Sequence, residues 1–191
     1  MTPSNLFRLA WGLWALSWLI AALWAAPTVK RALPPARLLY GAVLAAGILL
    51  LFSGTSRWLQ AGRLWHVGYG GAWLLALLAI LGFAFTWWAR IHLGRLWSGW
   101  IVRKEGHYIV DTGPYAIVRH PIYTGLLTAT LCTALAQATL PALAGFALIA
   151  LGLWLKARLE EEFLRQELGL EAYDSYRRRV PMLLPFGPRS A

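Results

Sequence analysis

The sequence predicts an all-α, polytopic integral membrane protein of about five transmembrane helices, the last two forming a C-terminal helical hairpin. Three observations carry this. The chain is 59% apolar with a mean hydropathy of +0.54, well outside the composition of a soluble domain of this size. Charged residues are absent from four long intervals, 9–26, 38–56, 67–89 and 121–155. These intervals also lack the alternating pattern of barrel strands. Backbone groups in lipid must be paired within the segment, so the spans are helices.

Each of the first three intervals is close to the roughly 20 residues that cross a hydrocarbon core. The first is read as a span rather than a cleaved signal peptide, because its charged leader is weak and no small-residue cleavage site closes it. The fourth would make a single helix of about 52 Å at 1.5 Å per residue, too long for one crossing and suited to two. Its most polar point, Gln137-Ala138-Thr139-Leu140-Pro141, contains a helix-limiting proline and marks the turn of the hairpin. The twelve tryptophans cluster toward span ends and read as interfacial anchors and packing residues.

Lysine and arginine set the orientation. With the N-terminus outside, only Arg8, Arg57 and Arg63 of the eighteen basic residues are exterior, which places the C-terminus in the cytoplasm of a multi-pass, bacterial-type inner membrane or its equivalent. The net charge of +10 then reflects the positive-inside bias and anionic headgroups. No soluble basic module exists to bind nucleic acid. The single Cys132 lies mid-span, so disulfide and zinc-cluster readings have nothing to build on. All eight acidic residues lie in the second half of the chain. Residues 1–89 therefore read as a three-helix transmembrane scaffold. Residues 90–191 read as the working core: a cytoplasmic connection, the hairpin, and a charged helix that continues to about Leu168, stops at Gly169 and gives way to a basic tail.

Antiparallel geometry about a turn near residue 138 sets His120 level with about residue 157 and Ala116 with about residue 160. The run Glu160-Glu161-Glu162 thus meets Tyr115, Arg119, His120 and Tyr123 where the membrane ends. Each member has a plain alternative: interfacial Arg and His, belt tyrosines, a solvated glutamate run paired with Arg158 and Arg165. Their convergence favours a pocket at the cytoplasmic face for a ligand carrying both charges and hydroxyls.

The strings Lys104-Glu105-Gly106-His107-Tyr108-Ile109-Val110-Asp111-Thr112-Gly113-Pro114-Tyr115 and Arg119-His120-Pro121-Ile122-Tyr123-Thr124-Gly125, the hydrophobic hairpin, Glu160-Glu161, Tyr173, Tyr176 and Val180-Pro181 resemble the isoprenylcysteine carboxyl methyltransferases and their phospholipid methyltransferase relatives. The resemblance covers about residues 90 to 186. It implies S-adenosylmethionine-dependent methyl transfer, with the cofactor in a cytoplasmic pocket and a lipophilic acceptor entering from the bilayer. It also implies that His107, Tyr108, Ile109, Val110, Tyr115, His120, Pro121, Ile122, Tyr123 and the pair Glu160 and Glu161 contact the cofactor. His120, Arg119 and Arg158 are the implied catalytic residues. The family's acceptor-binding arginine lies about one turn before the glutamates, where this chain offers Lys156 or Arg158. A glutamine that some members carry upstream of His107 is replaced here, with Trp100 near that position.

Displacement at a sulfonium needs orientation and a dry site, with no metal or covalent nucleophile. An amine or thiol acceptor must lose a proton, for which His120 or a tyrosine is the candidate base; a carboxylate acceptor needs none. Two further classes remain open. One is an NADPH-dependent sterol-type membrane reductase, whose pattern Arg-His-Pro-Asn-Tyr differs at Ile122. The other is a non-enzymatic membrane scaffold or transporter, against which the spans carry no buried ionisable residues and no inverted repeat.

Overall fold

The computed structural model describes residues 2–31, 34–53 and 62–188; Arg57, which the sequence assigns to the exterior, lies outside them. Helix α1, Pro3–Ala22, starts at the N-cap Thr2, whose hydroxyl accepts from Asn5 N–H at 3.3 Å, with proline at a position where its missing N–H is harmless. Helix α2 spans Pro34–Ser53 and α3 Tyr69–Leu93. Beyond it come a 3-10 turn at Gly94–Leu96, the short strand Val102–Lys104 and a second 3-10 turn at Gly113–Ala116. Helix α4, Pro121–Gln137, ends on Ala138 in the left-handed region, and α5, Leu140–Leu168, begins from the N-cap Thr139. The break expected at 137–141 therefore falls on two residues. Gly169, at φ +106°, stops α5 where the sequence expects.

Among the described residues three helices, α1, α3 and α5, are long and apolar enough to cross a membrane, and α2 has the same 20 residues as α1. Helix α4 has 17 residues. The molecule is mostly helical and an integral membrane protein; α4 falls just under the length that would make its crossing evident from length alone.

Packing is pairwise: α3 lies on α4, α2 on α5, α4 on α5, and α1 on α3. The two largest contacts rest on glycines. A Cβ on Gly82 would sit 2.7 Å from the carbonyl oxygen of Gly125, and one on Gly145 2.7 Å from that of Gly47. Lipid offers no hydrophobic drive for helix association, so close backbone approach at small residues supplies the contact. At one end of the bundle Leu64 N–H donates to Ala138 O at 2.7 Å and Arg63 bridges to Thr139. The α2–α3 and α4–α5 connections therefore share that end.

Two elements at the other end differ from the expected all-α chain with a basic tail. Thr28–Arg31 (β1) pairs antiparallel with Val102–Lys104 (β2). Lys104 Nζ donates to Ala26 O at 2.6 Å and to Thr28 Oγ1 at 3.1 Å, and Glu167 accepts from both Lys30 and Arg103. Strands of three and four residues are too short to show periodicity. The basic tail begins instead as α6, Leu170–Arg179, with Tyr173 and Tyr176 at i, i+3 buried against Ile109 and Leu164.

Candidate active site

The site is built at the first turn of α4. Pro121 starts the helix, and His120 before it is non-helical, at φ −124° and ψ 64°, since proline disfavours the α region for the residue that precedes it. The C-terminal segment pins this corner. Arg119 N–H donates to Pro181 O at 2.9 Å, His120 N–H to Met182 O at 3.1 Å, and Thr124 Oγ1 to Leu183 O at 2.6 Å.

The three glutamates separate by function because they lie 100° apart on α5. Glu161 is buried and accepts from Arg119 Nε at 2.7 Å and Nη2 at 3.2 Å, with His120 Nε2 at 3.1 Å from the same carboxylate. Arg119 also donates to the Arg177 carbonyl at 2.9 Å and to that of Val180. Glu160 turns the other way and accepts from Tyr123 OH at 2.6 Å. The His120 and Tyr123 rings stack with centroids 5.2 Å apart and an interplanar angle of 3°. Glu162 faces out toward Arg165 and Gln166. His120 thus meets residue 161 rather than 157. Residues 119–120 precede α4 and are not helical, so the equal-rise count does not hold for them, and side chains of α5 lean back toward its own start.

Beside this corner lies a cavity of about 480 Å³, within the range of small-molecule sites. His107, Tyr108, Ile109, Val110, Tyr115, Arg119, His120, Pro121, Ile122, Tyr123 and Glu160 all border it. Glu161 and Arg158 do not. Glu161 lies behind the wall in its ion pair, and Arg158 is exposed, with its guanidinium over Trp154. Lys156, the other residue offered by the spacing, does line the cavity, with Nζ donating to Gly99 O at 2.8 Å and 5.2 Å from the Tyr123 ring centre. Arg119 borders the cavity while its guanidinium holds the C-terminal segment.

Burial pushes the Tyr115 phenol well above its ordinary value, with nearby Glu160 adding to the rise, so it stays protonated and donates to Ala89 O at 3.5 Å. Tyr176, also raised by burial, donates to Tyr115 O at 2.8 Å. Burial lowers the His107 value; Arg103 and Lys104 lower it further, and Glu160 opposes them. Lys104 N–H donates to His107 Nδ1 at 3.3 Å, so neutral His107 carries its proton on Nε2.

The other half of the cavity is one that the sequence division into scaffold and core does not anticipate. Trp11, Trp14 and Trp18 of α1, with Leu44, Ile48, Leu51 and Phe52 of α2, form an apolar wall. The signal was present in the tryptophan spacing, three and four residues apart on one helical face, but end-clustered tryptophans in a membrane span read first as anchors. Among the described residues no three His, Cys, Asp or Glu side chains gather as a metal site.

The protein is a helical membrane protein with an amphiphilic cavity, polar where His120, Tyr123 and Glu160 meet and apolar along α1 and α2. Residues 74–166 match the family model described as "Isoprenylcysteine carboxyl methyltransferase (ICMT) family", and over this segment, a little under half of the chain, the protein is similar to that family. It is also 32% identical over 123 residues to the cobalt-zinc-cadmium resistance protein CzcN of Cupriavidus metallidurans, an alignment covering 63% of this chain and 55% of that relative. The chain thus spans about half the length of the curated relative it matches.

Proposed function

We propose that this protein is an S-adenosylmethionine-dependent membrane methyltransferase acting on a lipophilic acceptor that enters from the bilayer, with α4 and α5 crossing as a hairpin, five crossings in all, and the polar end of the cavity at the cytoplasmic face. The single observation that carries the reading is the cavity itself, whose polar end is lined by the residues in which the sequence resembles the family. Its donor set fits the cofactor: Glu160 and the Tyr123 hydroxyl suit a ribose diol or α-amino group, Lys156 suits a carboxylate, and the 107–110 segment, half-buried except at the exposed Tyr108, offers backbone and apolar contact to a flat base. When bound, S-adenosylmethionine supplies a methyl group on an electrophilic sulfonium.

This chain's own residues orient and exclude water. Tyr123 is fixed between His120 and Glu160, and Tyr115 between Ala89 and Tyr176, so the polar end is held before a ligand arrives. His120 is tied to the buried Glu161 and stacked on Tyr123, which places it to face an acceptor that must release a proton. Support for orientation comes from the shared end of the α2–α3 and α4–α5 connections, which carries Arg63, and from the basic residues of β1, β2 and α6 at the opposite end.

Thermal unfolding of the detergent-purified full chain tests the reading. S-adenosylmethionine or S-adenosylhomocysteine raises the melting temperature and NADPH leaves it unchanged, since a ligand that binds only the native state stabilises it. Stabilisation by NADPH alone would assign the cavity to a reductase.

A further inference from the structure

The cavity has two builders. All but a few residues of its polar end lie within the family-matching segment 74–166. The apolar wall on α1 and α2 lies before it. From Glu160 down α5 to Ile149, both lining the cavity, the apolar limb descends about 16 Å at 1.5 Å per residue.

The wall on α1 is rigid. Trp11 Nε1–H donates to Thr133 Oγ1 at 3.0 Å and Trp14 Nε1–H to Thr86 Oγ1 at 2.9 Å, so those indoles turn carbon faces and edges to the space. Trp14 stacks on Trp18 at 5.0 Å, and Trp18 meets Trp97 edge to face at 5.5 Å. Such a wall cannot remodel around a flexible chain, and ring faces in offset or edge contact favour another π-system over saturated carbon. Helix α1 rests on α3 and α2 on α5. Between α1 and α2 the ring contact is Trp11 against Phe52, at 5.4 Å.

Resting on the methyltransferase reading of the polar end, we infer that acceptor selection resides in α1 and α2, whose tryptophan-walled slot takes a flat, π-bearing apolar part of the methyl acceptor. Trp14 and Trp18 determine specificity. The family-matching segment holds the charged cofactor, and the part of the chain outside it reads the lipid.

The test uses the full chain in lipid nanodiscs with two photoreactive diazirine alcohols, one bearing a naphthyl group and one a decyl chain. Cross-linked peptides are mapped by mass spectrometry, with naphthylethanol or decanol as competitor. The naphthyl probe labels the facing residues of α1 and α2, and naphthylethanol displaces it at about tenfold lower concentration than decanol. Ile48→Trp, which fills the slot from the α2 side, removes the labelling, and Trp18→Leu brings the two competitors toward parity. Calorimetry with S-adenosylhomocysteine is unchanged in Ile48→Trp, which shows that the fold and polar end are intact. Equal competition in the wild type overturns the inference, as does uncompeted labelling of outward residues such as Leu13 and Leu16, or indifference to Ile48→Trp. Should Trp18→Leu fail to fold, Ile48→Trp decides alone. Absent S-adenosylhomocysteine binding with competition intact would sink the cofactor reading and leave the slot standing; the converse result sinks only the slot.

Discussion

Arg119 Nε lies 2.7 Å from Glu161 Oε1, with both side chains almost wholly out of solvent, at 2% and 4% exposure. The pair joins the first turn of α4 to α5, and through the carbonyls of Arg177 and Val180 it also fastens the end of α6. Removing one partner strands a buried charge. Glu161→Gln is therefore expected to cost about 3–5 kcal/mol of stability, as breaking a buried ion pair does, seen as a lower melting temperature in detergent. The family resemblance instead implies that this residue contacts the cofactor. An unchanged melting temperature in Glu161→Gln would restore that view.

Glu160 and Tyr123 form the contrasting pair, at 2.6 Å and bordering the cavity. Losing a hydrogen bond to a charged group costs about 1.5–3 kcal/mol, or roughly 10- to 150-fold in affinity. Glu160→Gln should weaken S-adenosylhomocysteine binding by that amount in titration calorimetry, with the melting temperature of the free protein little altered. Glu162→Gln is the control, since its side chain is 55% exposed and paired with Arg165 on the outer face. Equal losses in the two variants would reduce the glutamate run to a solvated helix face.

The charge-free interval, Pro141 and Gly169 were sufficient to bracket the α4–α5 break within 137–141 and the end of α5 at Gly169, because helix boundaries obey local rules. Convergence of Tyr115, His120, Tyr123 and the glutamates was also legible from hairpin geometry. Which glutamate faces the cavity was not: adjacent residues on a helix differ by 100°, and a register error of one exchanges a cavity residue for a buried ion-pair partner. The α1 wall was hidden for a different reason. Its members are distant in sequence from the motif, and the contacts of Trp11 with Thr133 and Trp14 with Thr86 are long-range.

His107 gives a pH dependence with a definite sign. Burial, helped by Arg103 and Lys104, holds its folded value below the ordinary histidine value of 6.5. Between the depressed folded value and about 6.5 the unfolded chain binds more protons, so stability rises with pH through that window and is level above it. Protonation also turns Nδ1 into a donor facing the Lys104 N–H. The wild type should lose melting temperature as pH falls below about 6.5, and His107→Asn should lose less over the same range. Parallel curves for the two proteins would remove His107 from the account.

Topology is tested where the structure exposes the chain. Ala138, at the tip of the α4–α5 turn, is 1% exposed and has φ +56°, so a cysteine there would be both strained and hidden from reagent. Leu140, two residues on, is 67% exposed, and Phe186 beyond α6 is fully exposed. In a Cys132→Ala background, which removes the buried native thiol, Leu140→Cys should react with a membrane-impermeant maleimide in intact cells. Phe186→Cys should react only after permeabilisation. The expectation follows from the grouping of Arg63 with the α4–α5 turn at one end and of β1, β2 and α6 with their lysines and arginines at the other, combined with the retention of positive charge in the cytoplasm. The reverse pattern would invert the protein in the membrane. Labelling of both positions from one side would mean that α4 and α5 enter and leave by the same face, and the five-crossing topology would give way to a re-entrant hairpin.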